Sequence, residues 1–175
     1  IFPVPFTLEE VKQITTSNYI SSVKPLKDEI IAKAFKFHME GNISEAKRYY
    51  QYFIREGFRD AILYSNYGAL SHQTGDIEKA IKLYKLCLEI NPCFAEAHNN
   101  LGTIYKEIGQ IKTAEICFRN AIQHNSNYAM AYNNLATILL QLGKLDEAEY
   151  FIIRATEINP NLSMAYNNMG SIFKP

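Results

Sequence analysis

Four asparagines recur at a constant spacing of 34 residues along the sequence: Asn66, Asn100, Asn134 and Asn168. An asparagine side chain carries two N–H donors and one carbonyl acceptor. A row of such amides can therefore pair with the N–H and C=O groups of successive peptide units in an extended chain. Pairing of this kind recognises the backbone of the bound chain and does not distinguish its side chains.

The residues around each asparagine fit one face of an α-helix. Side chains separated by steps of four and three residues lie on the same helix face. One such stripe consists of Glu96, Asn100, Thr103 and Glu107. Equivalent stripes are Ile62, Asn66, Ala69 and Gln73, then Met130, Asn134, Thr137 and Gln141, then Met164, Asn168 and Ser171. The stripes predict a polar binding surface, whose candidate residues besides the four asparagines are Thr103, Thr137, Gln73 and Gln141.

The asparagines also have a second interpretation. Asparagine is a mediocre helix former because its amide competes with the backbone for hydrogen bonds, so its recurrence needs a reason. That reason can be contact with a bound peptide, hydrogen bonding to neighbouring helices, or persistence after the units were copied. The sequence leaves these alternatives open. For Asn99, Asn133 and Asn167, which precede the four asparagines by one residue, we expect structural roles.

Residue types that support catalysis or metal binding lack the spacing that such sites need. The sequence contains no glycine-rich phosphate loop, no nucleophile with a placed base and no metal-spaced cluster. His38 and His72 have no carboxylate at helical spacing, so we expect surface or packing roles for them. His98 stands where the other copies have tyrosine, which predicts a filler between helices. The sequence predicts neither an enzyme nor a cofactor or metal site.

The constant spacing extends beyond the asparagines. Glycines and alanines share the 34-residue period, at Gly41, Gly75, Gly109 and Gly143, and at Ala46, Ala80, Ala114 and Ala148. A fixed period in the range of about 20–50 residues indicates a stacked-repeat protein. In residues 95–128, apolar residues recur at helical spacing on both sides of Gly109, which supplies the left-handed backbone that ends a helix. Each unit is therefore predicted to be a pair of antiparallel helices that buries its apolar face only when stacked on other units.

Small residues predict where the two helices of a unit approach each other closely. A glycine inside a helix is unfavourable by roughly 0.8–1 kcal/mol relative to alanine. Gly68 and Gly102 therefore require a packing reason. We expect Gly68 to face Ala80, and Gly102 to face Ala114, across the contact between the two helices.

The overall composition excludes several classes of partner. Eighteen basic and eighteen acidic residues cancel, whereas nucleic-acid and anionic-membrane surfaces need clustered positive charge. No window contains the roughly 18 apolar residues of a membrane span, and no secretory signal pattern opens the sequence. The three cysteines show neither disulfide-framework nor zinc-site spacing. These features favour a cytoplasmic protein that binds neither nucleic acid nor membrane.

The repeating unit resembles the tetratricopeptide repeat. The landmarks of that repeat are matched in order by Leu101, Gly102, Tyr105, Gly109, Ala114, Phe118 and Ala121. Because Asn-Asn-Leu occurs at 99–101 and 133–135, the units are most similar to those of O-linked N-acetylglucosamine transferase and of bacterial repeat arrays. The resemblance implies an all-α fold, a right-handed superhelical solenoid of stacked antiparallel helical hairpins with its first helices along a concave groove. It also implies that the four asparagines hold peptides, as a similar ladder does in that transferase.

The resemblance implies a scaffold for protein–protein interaction that binds an extended peptide or partner segment in its groove. An alternative from another class is the substrate-recognition arm of a larger enzyme, such as a glycosyltransferase, with its catalytic domain beyond residue 175. Chaperone-type tetratricopeptide domains bind a terminal carboxylate through Lys, Asn and Arg on consecutive first helices. Those places are occupied here by Ile31, Phe35, Glu96 and Asn100, so a ligand bound through its terminal carboxylate is not expected.

The period divides the chain into predicted segments. Residues 1–26 are expected to be a leader, with a capping pattern at 7–10 that permits a short helix and a linker at 15–23. The repeat domain is 27–174, with units 27–60, 61–94, 95–128 and 129–162 and a half unit, 163–174. No second helix follows to cover the apolar residues of the half unit, Tyr166, Met169, Ile172 and Phe173. The half unit can cap the stack, pair with another copy of the chain, or be followed by further repeats.

Overall fold

The structure, a computed structural model, describes residues 19–172, and their side chains from residue 26 onward. Within this range the chain forms nine α-helices and no β-strand. In chain order the helices are α1 (Tyr19–Met39), α2 (Ile43–Arg55), α3 (Ala61–Gln73), α4 (Ile77–Ile90), α5 (Ala95–Glu107), α6 (Ile111–His124), α7 (Ala129–Gln141), α8 (Leu145–Ile158) and α9 (Ser163–Ile172). The prediction of an all-α fold of helical hairpins is confirmed. None of these helices is both long enough and apolar enough to cross a membrane.

The first helix begins earlier than the sequence predicted. The helices α3, α5, α7 and α9 start at intervals of 34 residues, in agreement with the period. The helix α1, however, begins at Tyr19, so the prediction of a linker at 15–23 is wrong for residues 19–23. Serine and proline are poor helix formers, and the serines before Pro25 led to a predicted start that is too late. The helix permitted near residues 7–10 lies outside the described residues.

A glycine in the left-handed conformation follows the first helix of each hairpin. The φ angles are 72°, 79°, 78° and 71° at Gly41, Gly75, Gly109 and Gly143. Residues with a Cβ rarely adopt this conformation. In the turn between α5 and α6, the N–H of Gln110 donates to the carbonyl of Tyr105 at 2.8 Å. The turn therefore pairs a carbonyl that the end of the helix would otherwise leave unsatisfied.

A side-chain turn recurs where one hairpin leads into the next. The side-chain oxygens of Asn91, Asn125 and Asn159 accept hydrogen bonds from the backbone N–H two residues later, at 3.1, 3.0 and 3.0 Å. These asparagines directly follow α4, α6 and α8, so each of these second helices ends in an Asx turn. Because the three loops share this hydrogen bond, their side chains can be compared position by position.

The described residues form two compact units, one ending at residue 59 and the other beginning at residue 60. In the first unit α1 packs on α2, and its core is strongly aromatic, with Tyr50 and Phe53 fully buried. In the second unit, three hairpins and α9 follow one another. The helices of each hairpin pack together, each second helix packs on the next first helix, and successive first helices are neighbours. The hairpins thereby share a core that a single hairpin lacks.

The small residues of the first helices face aromatic rings. A Cβ added to Gly102 would lie 2.6 Å from the ring of Phe118, and one added to Gly68 would lie 3.0 Å from the ring of Tyr84. Both rings are buried, so they occupy the space that a methyl group would need. The nearest atoms to each glycine therefore belong to an aromatic ring, and not to the predicted partners Ala80 and Ala114.

The helix α9 buries part of its apolar face. Ala165 is fully buried, and Met169 and Ile172 pack against a core cluster formed with α7 and α8. Tyr166 is 49% exposed, and no atom lies within 4 Å of a Cβ added to Gly170. Phe173 lies outside the described residues. Of the predicted self-association surface, residues 163–174, the part around Tyr166 and Gly170 is thus open.

Candidate functional site

The four predicted asparagines lie on successive first helices of the hairpins that follow residue 60. Asn66 is on α3, Asn100 on α5, Asn134 on α7 and Asn168 on α9, and all four are partly exposed. These helices are neighbours, so the four side chains follow one another from helix to helix. We call this set, Asn66, Asn100, Asn134 and Asn168, the amide row. Of the other candidates, Thr103 and Thr137 are partly exposed, and Gln73 and Gln141 are exposed.

Hydrogen bonds connect the amide row to buried asparagines of the preceding unit. The Asn134 Nδ2 donates to the Asn99 Oδ1 at 2.9 Å, and the Asn168 Nδ2 donates to the Asn133 Oδ1 at 2.9 Å. Asn99 and Asn133 are only 4% and 3% exposed. Each bond joins residues 35 positions apart on neighbouring first helices. These asparagines therefore tie successive units together, and the row has a structural role as well.

The two threonines mainly serve their own helices. The Thr103 hydroxyl donates to the backbone carbonyl of Asn99 at 3.1 Å, and the Thr137 hydroxyl donates to that of Asn133 at 2.9 Å. Thr137 also accepts a hydrogen bond from the Asn168 Nδ2 at 3.0 Å. Because their protons are already donated, the threonines can offer a partner only acceptor capacity, which Thr137 already uses in part.

Asn100 differs from the other members of the row in its contacts. Its Oδ1 accepts from the Asn99 Nδ2 at 3.4 Å, which is a long and weak hydrogen bond. Burial raises the pKa of the Tyr84 hydroxyl, and a side-chain hydrogen bond from Asn100 acts in the opposite direction. Asn100 thus lies near the hydroxyl of a buried tyrosine from α4.

Hydrogen-bonding capacity nevertheless remains on the amide row. Each asparagine amide has two N–H donors and an acceptor oxygen. Between residues 26 and 172, the Asn66 side chain makes no hydrogen bond, Asn134 makes one as a donor, and Asn168 makes two as a donor. The oxygens of these three amides, and donors of Asn66 and Asn134, are left for water or for another polypeptide.

A cross-unit pair lies at the end of the stripe that contains Gln73 and Gln141. The His72 Nε2 is 2.7 Å from the Glu107 Oε2, and the pair joins α3 to α5. Helical spacing within α3 gives His72 no carboxylate, because Glu107 comes from the next unit. His38 pairs with the Tyr50 hydroxyl at 2.9 Å instead. Among the described residues, no group of three or more His, Cys, Asp or Glu side chains is arranged to hold a metal.

The opposite end of the stripe is largely apolar. Ile62 is 53% exposed and Met164 is 47% exposed, while Met130 is partly exposed. Glu96 is exposed and is the charged member of this set. This end of the stripes therefore presents neutral groups in the other units and one carboxylate, Glu96, in unit 95–128.

Two of the three cysteines are inert thiols. Burial raises the pKa of Cys87 to about 12 and that of Cys117 to about 11. Only a thiolate is a good nucleophile, so both side chains remain protonated and unreactive at neutral pH. The thiol of Cys93 is exposed, and all three cysteines are free.

His98 forms a stacked pair with His124 at the loop end of unit 95–128. The two rings have centroids 5.4 Å apart and planes inclined by 22°. The His98 Nε2 is 2.9 Å from the backbone carbonyl of Pro92, so this nitrogen carries the proton and donates it. His98 is partly buried and fills the space between helices, where the other units have tyrosine.

We expect the fold to lose stability as the pH is lowered from about 8 to about 5, in part because of His98. Burial lowers the pKa of His98 from its usual 6.5, and burial does the same at His38. Near the usual histidine pKa, the unfolded chain therefore binds more protons than the folded chain. The free energy of unfolding rises with pH in this range, and it is lost as the pH falls below the usual pKa. The variant His98→Tyr, which installs the residue of the sister units, should lose less stability on acidification in urea titrations. Identical pH profiles for the variant and the wild type would assign the acid sensitivity to other groups.

Two protein-family models match the chain. One, described as a TPR repeat, covers residues 68–109, and the other, described as a tetratricopeptide repeat, covers residues 93–161. The chain carries tetratricopeptide repeats. The predicted resemblance is confirmed at this level, and the matches do not single out the repeats of O-linked N-acetylglucosamine transferase. No curated protein matched the sequence.

Several solved structures share the fold. The chain is similar to the MamA protein, with a TM-score of 0.74 and 22% identity over 84% of this chain and 80% of that chain. It is similar to Pseudomonas aeruginosa pilF, with a TM-score of 0.75 and 18% identity over 85% of this chain and 68% of that chain. The first TPR of Spaghetti (RPAP3), bound to the HSP90 peptide SRMEEVD, has a TM-score of 0.61 and 25% identity over 64% of this chain and 89% of that chain. With 295 matching chains, the fold alone does not select a function.

Proposed function

We propose that this tetratricopeptide repeat chain is a protein-interaction scaffold whose amide row binds an extended peptide or partner segment. The observation that carries the proposal is the hydrogen-bonding capacity left on Asn66, Asn134 and Asn168, on side chains that are partly exposed. Two further likenesses support it. The units resemble those of O-linked N-acetylglucosamine transferase, in which a similar asparagine ladder holds peptides, and a peptide is bound to the similar domain of Spaghetti (RPAP3).

The spacing of the row suits an extended chain. Packed helices lie about 8–10 Å apart, and an extended chain advances about 3.3 Å per residue. Successive members of the row would therefore meet about every third residue of the bound segment. Amides at this interval can hold the backbone of a segment while most of its side chains point elsewhere, so the row itself would contribute affinity with little sequence selectivity.

The charge of the chain supports a protein partner. The formal net charge is zero, and the amide row is uncharged. Nucleic acids and anionic membranes are recognised mainly through clustered positive charge, so we propose that neither is a partner. The free cysteines fit a reducing compartment, and we propose that the chain works in the cytoplasm as a scaffold without catalytic activity.

Replacing Asn66 by alanine should weaken peptide binding by about two- to tenfold, the range of one hydrogen bond. The Asn66 amide makes no hydrogen bond to the described residues, so the free energy of unfolding should change by less than about 0.5 kcal/mol. The probe is a fluorescein-labelled peptide that the wild-type chain selects from a random display library, and its dissociation constant is measured by fluorescence anisotropy. The matched control is Asn127→Ala, which removes an exposed amide side chain from the loop between α6 and α7.

Two results would count against this function. Failure of the wild-type chain to select any peptide would remove the proposed ligand class. Equal affinities of the wild type and Asn66→Ala for every selected peptide would show that peptides bind elsewhere and that the amide row is structural.

A further inference from the structure

The unit at 95–128 differs from the other units in the residues at its loop end. Glu96 stands where the other stripes have Ile62, Met130 and Met164, and His124 stands where they have Ile90 and Ile158. His98 stands where they have Tyr64, Tyr132 and Tyr166. The backbone of the loops is equivalent, since each carries the same Asx turn. At three positions that are apolar or aromatic in the other units, unit 95–128 thus has ionisable residues.

A shallow cavity of about 340 Å³, wide open to solvent, lies at this place. Two successive loops and the start of α5 form its walls. The residues that line it are Asn91, Cys93, Phe94, Ala95, Glu96, His124 and Asn125. Its volume is at the low end for ligand pockets, so it suits one side chain of a partner better than a cofactor.

The electrostatics of the cavity favour a positive charge. Glu96 is the lining residue with a formal charge at neutral pH. Asn91 and Asn125 directly follow the C-terminal ends of α4 and α6, and each helix C-terminus carries a partial negative charge and carbonyls without intrahelical partners. One helix N-terminus, that of α5, opposes them with a partial positive charge. The sum of one carboxylate and two helix C-termini against one N-terminus is negative.

From this geometry we infer that the cavity binds the cationic head of a lysine or arginine side chain from the segment held by the amide row. The inference rests on the proposed function, because Glu96 lines the cavity and also belongs to the stripe of Asn100. An ammonium or guanidinium group can pair with the Glu96 carboxylate and donate further hydrogen bonds to asparagine oxygens and helix-end carbonyls. An anion would meet the Glu96 carboxylate, and a metal would lack ligands, since the described residues contain no metal-binding cluster.

The cavity can be tested without any peptide. Arginine amide is titrated into the full ¹⁵N-labelled chain, and backbone amide shifts are followed by NMR. Shift changes centred on Asn91, Glu96 and Asn125, and lost in Glu96→Gln, are the expected result. The control Glu78→Gln removes an exposed carboxylate at the start of α4 and should leave the changes intact. Shifts spread over the whole surface, or equal in Glu96→Gln, would overturn the inference.

The link to the bound segment is tested with a pair of peptides. A labelled peptide that the wild type selects and that contains one essential lysine is compared with the same peptide carrying norleucine there. The wild type should prefer the lysine form by about three- to tenfold, the range for a charged hydrogen bond that is partly exposed, and Glu96→Gln should lose this preference. If Glu96→Gln still prefers the lysine peptide by the same factor, the inference about the cavity is wrong, whereas the proposed peptide binding by the amide row is unaffected. If arginine amide binds in the cavity but the chain selects no peptide, the proposed peptide binding by the amide row is wrong, whereas the cation site in the cavity is still supported.

Discussion

Replacing Phe118 by alanine should lower the free energy of unfolding by about 3–5 kcal/mol. The Phe118 ring is fully buried, it covers Gly102, and it belongs to a core cluster with Leu135, Ile138 and Ala148 from the following hairpin. Its removal would therefore open a cavity between two hairpins, and each hairpin depends on the other for its core. Urea titration followed by circular dichroism measures the loss.

A double-mutant cycle with Gly102 shows whether the ring explains the glycine. Alanine in place of glycine normally stabilises a helix by about 1 kcal/mol, but a Cβ at Gly102 would lie 2.6 Å from the ring. We expect Gly102→Ala to destabilise the wild type, since overpacking costs about 1–3 kcal/mol, and to stabilise Phe118→Ala. The control Gly170→Ala, where no atom lies within 4 Å, should stabilise. A stabilising Gly102→Ala in the wild type would contradict the packing argument.

The fold was predictable because it repeats. A turn glycine such as Gly109 and a helix-facing alanine such as Ala114 recur with one period, so each helix could be placed from its copies as well as from its own pattern. Packing partners were harder to predict. The sequence shows that Gly102 needs a close neighbour, but helix rotation decides whether that neighbour is Ala114 or Phe118, and the nearest atoms belong to Phe118. The early start of α1 was missed because no copy exists to guide it.

The sequence predicted the positions of the site residues on their helices, but not the hydrogen bonds between helices. Helical periodicity shows which side chains share a face, and it placed the asparagines on successive first helices. It does not show which amide bonds to which across two helices. The bond from Asn134 to Asn99 and the pair of His72 with Glu107 both join residues 35 positions apart, one more than the period. A spacing of the repeat length plus one is therefore the sequence signal for both pairs.

The amide row therefore combines two uses of the same chemistry. One N–H of Asn134 ties α7 to α5, whereas its second N–H and its oxygen are available to a partner. Asn66 has no tie of this kind among the described residues. Alanine in place of an asparagine that only contacts a ligand would weaken peptide binding and leave the stability almost unchanged. Asn134 differs from such a residue because its side chain also bonds to Asn99.

Replacing Asn134 by alanine should lower the free energy of unfolding by about 1–3 kcal/mol, because the Asn99 oxygen loses its partner. Asn99 is only 4% exposed, so water replaces the lost N–H poorly. The double variant Asn99→Ala/Asn134→Ala removes both partners and should lose less than the sum of the two single losses, with a coupling of about 1 kcal/mol. Thermal and urea unfolding of the four proteins measure this cycle.

Comparison of Asn134→Ala with Asn66→Ala shows which members of the amide row stabilise the packing of units and which bind a partner. If Asn134→Ala is as stable as Asn66→Ala and the cycle shows no coupling, the bond to Asn99 contributes nothing and the Asn134 amide serves a ligand alone. If Asn134→Ala is destabilised, Asn66→Ala is not, and both weaken peptide binding, Asn134 serves both the tie between units and the contact with a partner, whereas Asn66 serves the contact alone. We expect the second outcome, because Asn66 retains all of its hydrogen-bonding groups while Asn134 donates one of them to a buried neighbour.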